Sequence, residues 1–228
     1  MKRTADLPNY TKAPAVAALL SVWDGIKGSR WAYAAERQHR RSEKKIRRIL
    51  AEQDEVSVEL GGAKRPGGDG WVRLDLVWKC DVYWNLARGL PFPDDRVKQI
   101  YSSHFFEHLT FTQGQTMLKE CLRVLEPGGT ISVAVPTAQP YLEAYCSGED
   151  LDRETFIYWK PAWNETTKID WVNYVAYMDG DHHYMFDADN LQKILEMAGF
   201  RDVRLREFDP ALDMQERDYE SIYAIARK

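Results

Sequence analysis

Residues 130–136 read TISVAVP, an apolar run with almost no polar interruption. A strand can be apolar along its whole length only where both of its faces are covered, so helices must lie on each side of the sheet that contains it. The preceding segment supplies one. In Gln113 to Leu125, QGQTMLKECLRVL, the residues Met117, Leu118, Cys121, Leu122 and Leu125 recur at helical spacing, and Pro127 to Gly129, PGG, end the pattern. Elsewhere EVSVEL (Glu55 to Leu60), WVRLDLV, VKQIYSS, DVRLREF and SIYAIAR read as strands, and ADNLQKILEMAGF as a helix closed by Gly199. Alternation of this kind predicts a doubly wound α/β sheet.

A chain of 228 residues suits one domain with a substantial core. Its net charge of -4 exerts no general pull on nucleic acid or anionic membranes. Cys80, Cys121 and Cys146 are odd in number, scattered and without CxxC spacing, which argues against a disulfide framework or a zinc site. The basic start MKRTADLPNYTK precedes only a short apolar run, APAVAALLSVW, far from the roughly 18 residues of a membrane span. The expectation is a reduced, cytoplasmic protein without a membrane span.

Two segments stand outside the alternation. Residues 1–54 read as a helical lid segment ahead of a domain at 55–228. Within the lid, RQHRRSEKKIRR (Arg37 to Arg48) suits a solvated helical face with Ile46 and Leu50 turned inward, with a nucleic-acid patch or a basic lid over an acidic substrate as alternatives. Residues 137–186 hold Tyr141, Tyr145, Tyr158, Trp159, Trp163, Trp171, Tyr174 and Tyr177. An insertion this long reads as a cap over a site, its aromatic residues serving either an acceptor, the cap's own core or a homodimer contact.

The first strand runs into ELGGAKRPGGDGWVRLD, Glu59 to Asp75. Glycines directly after a buried strand let backbone approach a ligand, and an acid ending the next strand can hold a ribose diol. Gly61, Gly62 and Asp75 fill those places. The GxGxxG fingerprint is absent, and the short connection leaves no helix whose N-terminus could take a pyrophosphate, which argues against a nicotinamide dinucleotide.

Taken in order, ELGGAKRPGGDGWVRLDL, CDVYWNLARGLPFPDDRVKQIYSSHFFEHL, LKECLRVLEPGGTISVAVPT and LQKILEMAGF resemble the class I S-adenosylmethionine-dependent methyltransferases, most of all their small bacterial, type-11-like branch. The resemblance spans about Val56 to Lys228. It implies a Rossmann-like, seven-stranded doubly wound sheet with its last strand antiparallel, and S-adenosylmethionine across the carboxyl ends of strands one to four. Glu59, Gly61 and Gly62 would line the methionine side, Asp75 would hold the ribose, Asn85 and Leu86 would meet the adenine, and Ser103 and His104 would begin the wall beside the methyl group. The chain departs from the family pattern in having Asn85 where an acid is common and Ala63 after the glycine pair, which implies altered contacts to the cofactor.

The segment SSHFFEHL, Ser102 to Leu109, would face that methyl group. Read as a helix, it puts His104, Glu107 and His108 on one face. HxxEH is similar to the ExxEH cluster that binds magnesium or a related ion in ubiquinone-pathway and small-RNA O-methyltransferases, with His182 and His183 of GDHHYMFD standing where some members have a further ligand. The metal ligands so implied are His104, Glu107 and His108, with magnesium or manganese as the ion; imidazole-rich donors favour the softer metals. The same residues also suit metal-free roles. Glu107 could favour a helix N-terminus, and His108, His182 or His183 could act as general base, so the catalytic candidates are Glu107, His108, His182 and His183. DMQERDYE, Asp213 to Glu220, reads as a solvated turn before the last strand, with a partner surface or the metal as alternatives.

The aromatic cap with interspersed polar groups suits a pyranose, and small enzymes of this appearance resemble glycan O-methyltransferases such as those of methylmannose polysaccharide synthesis. The expected activity is O-methylation of a sugar or bacterial polysaccharide hydroxyl. The alternatives are an RNA 2'-O-methyltransferase, a natural-product or quinone O-methyltransferase, and a non-catalytic cofactor-binding subunit.

Overall fold

Strands β1 (Val56–Leu60), β2 (Trp71–Asp75), β3 (Val82–Tyr83), β4 (Val97–Ser103), β5 (Leu125–Pro136), β6 (Arg201–Leu205) and β7 (Ser221–Arg227) form one sheet in the order β3-β2-β1-β4-β5-β7-β6. The computed structural model describes residues 27–62, 70–77, 80–157 and 159–228. Strands β1 to β5 pair in parallel, while β7 is antiparallel to both β5 and β6. This is the Rossmann-like mixed sheet that the alternation and the resemblance lead one to expect. Ile131 to Pro136 of β5 are all buried, as a strand covered on both faces must be.

The chain leaves β1 toward one edge through β2 and β3, then returns to lay β4 on the other side of β1. That reversal opens a crevice beyond the carboxyl ends of β1 and β4, the place where open α/β sheets bind ligands.

Helix α1 spans Lys27–Glu52, α2 spans Phe111–Val124, and α6, the last, spans Ala188–Ala198. Thr110 and Gln113 form a reciprocal capping box at the start of α2, which turns Met117, Leu118, Cys121 and Val124 inward. Helix α6 starts on Asp187, whose side chain accepts from the Asn190 amide, and stops at Gly199 with φ of 106°. The main core gathers Val58, Leu60, Ile100, Leu118, Val133 and Leu195.

The chain divides into two units, Met1–Arg41 and Ser42–Lys228. The boundary between these units lies inside α1. The physical reason is that Ile46 is buried in the core of the sheet unit, with Ile49 and Leu50 packed on it, while Arg96 donates to the carbonyls of Leu50, Gln53 and Asp54. Residues 1–26 of the expected lid lie outside the described residues. Lys44, Lys45, Arg47 and Arg48 are exposed, as a solvated face requires. Among the described residues no helix is long and apolar enough to cross a membrane.

Residues 137–186 fold into helices α3 (Gln139–Ser147), α4 (Arg153–Phe156) and α5 (Ile169–Tyr177) around a core of their own. Tyr141, Trp171 and Tyr174 are each at most 2% exposed within it. The two hydroxyls are satisfied inside the cap: Tyr141 donates to the Phe156 carbonyl at 2.6 Å, and the Tyr174 hydroxyl accepts from the Trp159 amide at 2.8 Å. These three aromatic residues therefore build the cap.

The structure differs from the sequence reading at three points and adds one short strand. The PGG sequence does not separate α2 from the strand; Leu125 already pairs with Val97, and the glycines form an irregularity within β5 before Thr130 meets Gln99. Strand β3, two residues long, was too short to show a period. HFFEH is not an α-helix: His104 has φ of 49°, and only Phe106–His108 make a 3-10 turn. Asp213 is no solvated turn residue, being buried with its carboxylate accepting from Tyr101 Oη, from both terminal nitrogens of Arg206 and from the Asp209 amide.

Candidate active site

Because β1 to β4 run in parallel, their carboxyl ends come to one edge, and the residues there belong to four separate stretches of sequence. Gly61 and Gly62 follow β1, Asp75 ends β2, Asn85 and Leu86 follow β3, and Ser103 and His104 close β4. Gly61 has φ of 75° and donates its amide to the Leu74 carbonyl. A Cβ at this position would stand 3.1 Å from the Phe105 side chain, so glycine is needed both for the turn and for the close approach. At Gly62 a Cβ would come within 2.5 Å of the Glu59 carboxyl carbon.

Glu59 is 1% exposed and meets Arg73 of the neighbouring strand, itself 2% exposed, at 3.1 Å. Arg73 also reaches Asp81 at 3.5 Å. The Glu59 charge is thus balanced inside the sheet just below the glycine turn. Nothing in the spacing of ELGG or WVRLD revealed that partner, because it comes from strand pairing. The Asp75 carbonyl accepts from the Trp84 amide at 2.8 Å and orients the edge. Asn85 caps the short turn Leu86–Arg88, its Oδ1 accepting from the Ala87 amide at 3.0 Å.

At the end of β4 the polar groups sort into two sets. His104 sits against β7: the Ser221 hydroxyl donates to the Arg217 carbonyl and therefore accepts from His104 Nε2, at 2.8 Å. That leaves His104 Nδ1 facing Glu107 at 3.5 Å and Glu220 at 4.0 Å. The second set is Glu107, His108 and His182, one ligand-type atom of each lying within 4.8 Å of the others. His182 thus takes the place expected for His104. His183 is exposed, and its amide donates to the Glu107 carbonyl at 2.7 Å, so its backbone joins the site while its ring is not among the converging groups.

The tautomers of two rings follow from their partners. His108 Nδ1 lies 2.8 Å from the Asp181 carbonyl, and His182 Nδ1 lies 3.0 Å from the Val175 carbonyl. A carbonyl oxygen only accepts, so each Nδ1 carries a proton and each neutral ring keeps its lone pair on Nε2. Burial pushes the His182 imidazolium down to about 4, so this ring is neutral near pH 7. Burial likewise raises Glu107, against the pull of His108 and Arg217. The rings meet edge to face with centroids 5.2 Å apart, and the His108 side chain, at 33% exposure, is the one that opens to solvent.

Residues 73–133, from β2 into β5, match the family described as a methyltransferase domain. No curated protein matches the chain. Among solved structures it is similar to an S-adenosylmethionine-dependent methyltransferase from Archaeoglobus fulgidus, with 16% identity over 83% of this chain and 94% of that one and a TM-score of 0.49. A corresponding enzyme from Aquifex aeolicus gives 14% identity, 82% and 88% coverage and a TM-score of 0.45. Phosphoethanolamine N-methyltransferase 2 of Haemonchus contortus, in complex with S-adenosyl-L-methionine, gives 12% identity, 82% and 52% coverage and a TM-score of 0.48. The match to the methyltransferase-domain family falls on β2 to β5, the strands that carry the crevice, within a Rossmann-like sheet whose β7 is antiparallel.

Proposed function

We propose that the protein transfers the methyl group of S-adenosylmethionine to a hydroxyl oxygen of a sugar or bacterial polysaccharide. Gly61 and Gly62 would take the methionine part of the cofactor, Asp75 the ribose, Asn85 and Leu86 the adenine side, and Ser103 with His104 the wall beside the sulfonium. In the reaction an oxygen lone pair attacks the methyl carbon in line, the C–S bond breaks with its electron pair returning to sulfur, and the hydroxyl proton must leave. The observation that carries the reading is the cluster of Glu107, His108 and His182, in which each ring spends its Nδ1 proton on a backbone carbonyl and so keeps its lone pair on Nε2. A hydroxyl acceptor needs such a proton-accepting wall; an amine that is already neutral does not.

The sugar class draws support from the aromatic surface that remains once the cap core is built. Trp159 and Trp163 are half-buried against the cap core, Tyr145 and Tyr177 are exposed, and Asn164 and Glu165 supply exposed polar groups in the same segment. Such faces stack on a pyranose while neighbouring polar groups bind its hydroxyls. The test is transfer from a tritiated methyl donor to oligosaccharides, phenols, amines and short RNA. Label in an oligosaccharide, reduced at least about a hundredfold in His108→Ala, is the expected result. Label confined to amines overturns O-methylation, and label confined to RNA or phenols overturns the sugar.

A further inference from the structure

The same wall has an unusual balance of donors and acceptors. Glu107 is 1% exposed, and its Oε2 has no hydrogen-bond partner. The two rings beside it spend their Nδ1 protons on the carbonyls of Asp181 and Val175, which leaves each Nε2 as an acceptor. Three electron-pair donors therefore converge where a hydrogen-bonded network would alternate donors with acceptors. His104 stands outside this cluster, its Nε2 held by Ser221 and its Nδ1 facing Glu107 Oε1 at 3.5 Å.

We propose that Glu107, His108 and His182 bind one divalent transition-metal ion through a carboxylate oxygen and two Nε2 atoms. Ligating histidines characteristically give their other ring nitrogen to a backbone carbonyl or carboxylate, which fixes the ring and its tautomer, and both rings here are held so. Ligand distances of about 2.0–2.2 Å require donors closer together than the 3.9 Å between Glu107 Oε1 and His108 Nε2, a closure within reach of side-chain rotation. Two imidazoles and one carboxylate suit manganese, iron, cobalt or zinc better than magnesium, which prefers an all-oxygen shell. Of the charged groups in electrostatic reach, Asp181 adds negative charge beside His108, while Arg217 opposes it at Glu107 and His182. Three protein ligands leave positions open. Resting on the methyl-transfer reading, the ion would hold the acceptor oxygen and acidify its hydroxyl, whose proton then passes to bulk water while His108 and His182 serve as ligands in place of proton acceptors.

The test titrates Co(II) into chelator-treated protein, alone and saturated with S-adenosylhomocysteine, and reads the visible ligand-field bands together with heat. The expected result is saturable binding of one ion, displaced by Zn(II), and weakened at least about tenfold in both Glu107→Gln and His108→Ala. Those two variants are chosen because the first is isosteric and the second truncates a partly exposed ring. Affinity for S-adenosylhomocysteine should stay unchanged in each. No saturable binding, or binding indifferent to both substitutions, overturns the metal site while leaving methyl transfer intact. Failure of S-adenosylhomocysteine itself to bind overturns the methyl-transfer reading, and the cobalt bands still decide the ligand set.

Discussion

Replacing Arg73 by methionine tests how the crevice floor is held. Both Glu59 and Arg73 are at most 2% exposed and meet at 3.1 Å. Removing the guanidinium strands a carboxylate in the sheet interior, and breaking a buried pair from one side costs about 3–5 kcal/mol. That is a large share of the roughly 5–15 kcal/mol by which domains are stable. Asp81, whose side chain is 35% exposed, loses a partner too, but water replaces much of that interaction. The same argument predicts that Glu59→Gln with Arg73→Met restores most of the loss, because no charge is then left buried alone. Urea unfolding of the wild type, both single variants and the double variant yields the coupling energy, expected at about 2 kcal/mol or more. If Arg73→Met costs under about 1 kcal/mol, or if the two losses simply add, the pair is not the buried charge balance described above.

Three further outcomes are expected. His182 titrates near 6.5 when unfolded and about 4 when folded, so its contribution to stability is complete above pH 6.5 and lost as pH falls toward 4. By linkage about 2 kcal/mol should be gone at pH 5, measured as the difference between wild type and His182→Gln in metal-free urea melts; subtracting the variant removes the opposite trend of Glu107, whose raised pKa favours acid. Parallel melts would show that the ring is not held neutral by burial. Gly61→Ala, forced to φ of 75° and against Phe105, should lose about 1 kcal/mol of stability and most of its affinity for S-adenosylhomocysteine, read by calorimetry. Trp171→Ala should cost about 3–5 kcal/mol, concentrated in the cap: hydrogen exchange should rise through α3 and α5 while the β4 and β5 amides stay protected.

What was readable along the chain was local. Periods of two and near four, a closing Gly199 and the almost uninterrupted apolar run of residues 130–136 are properties of neighbouring residues, and they were enough for the alternating sheet and most of its elements. Gly61, Gly62 and Asp75 were legible for the same reason, since a turn and a strand end leave their mark in sequence. Elements without a period, such as the two residues of β3, left no such mark. The cap's aromatic residues were visible, but composition alone could not say that Tyr141, Trp171 and Tyr174 turn inward while Tyr145 and Tyr177 remain exposed.

The make-up of the polar wall was decided only in three dimensions. A helical reading of HFFEH groups His104 with Glu107 and His108, yet His104 takes a left-handed backbone and a bond to Ser221, a residue 117 positions away. His182 replaces it because the chain returning from the cap lays residues 181–184 against the Phe106–His108 turn, through the amides of His183 and Tyr184 on the Glu107 carbonyl and the Asp181 carbonyl on His108. His182 and His183 are adjacent, and only the packing of the cap turns one ring inward and leaves the other exposed. The sequence by itself determined the sheet and the edge at which a cofactor would lie, because both follow from short-range pattern. Which side chains share a proton or an ion depends on contacts between distant segments, and only the tertiary structure decides those.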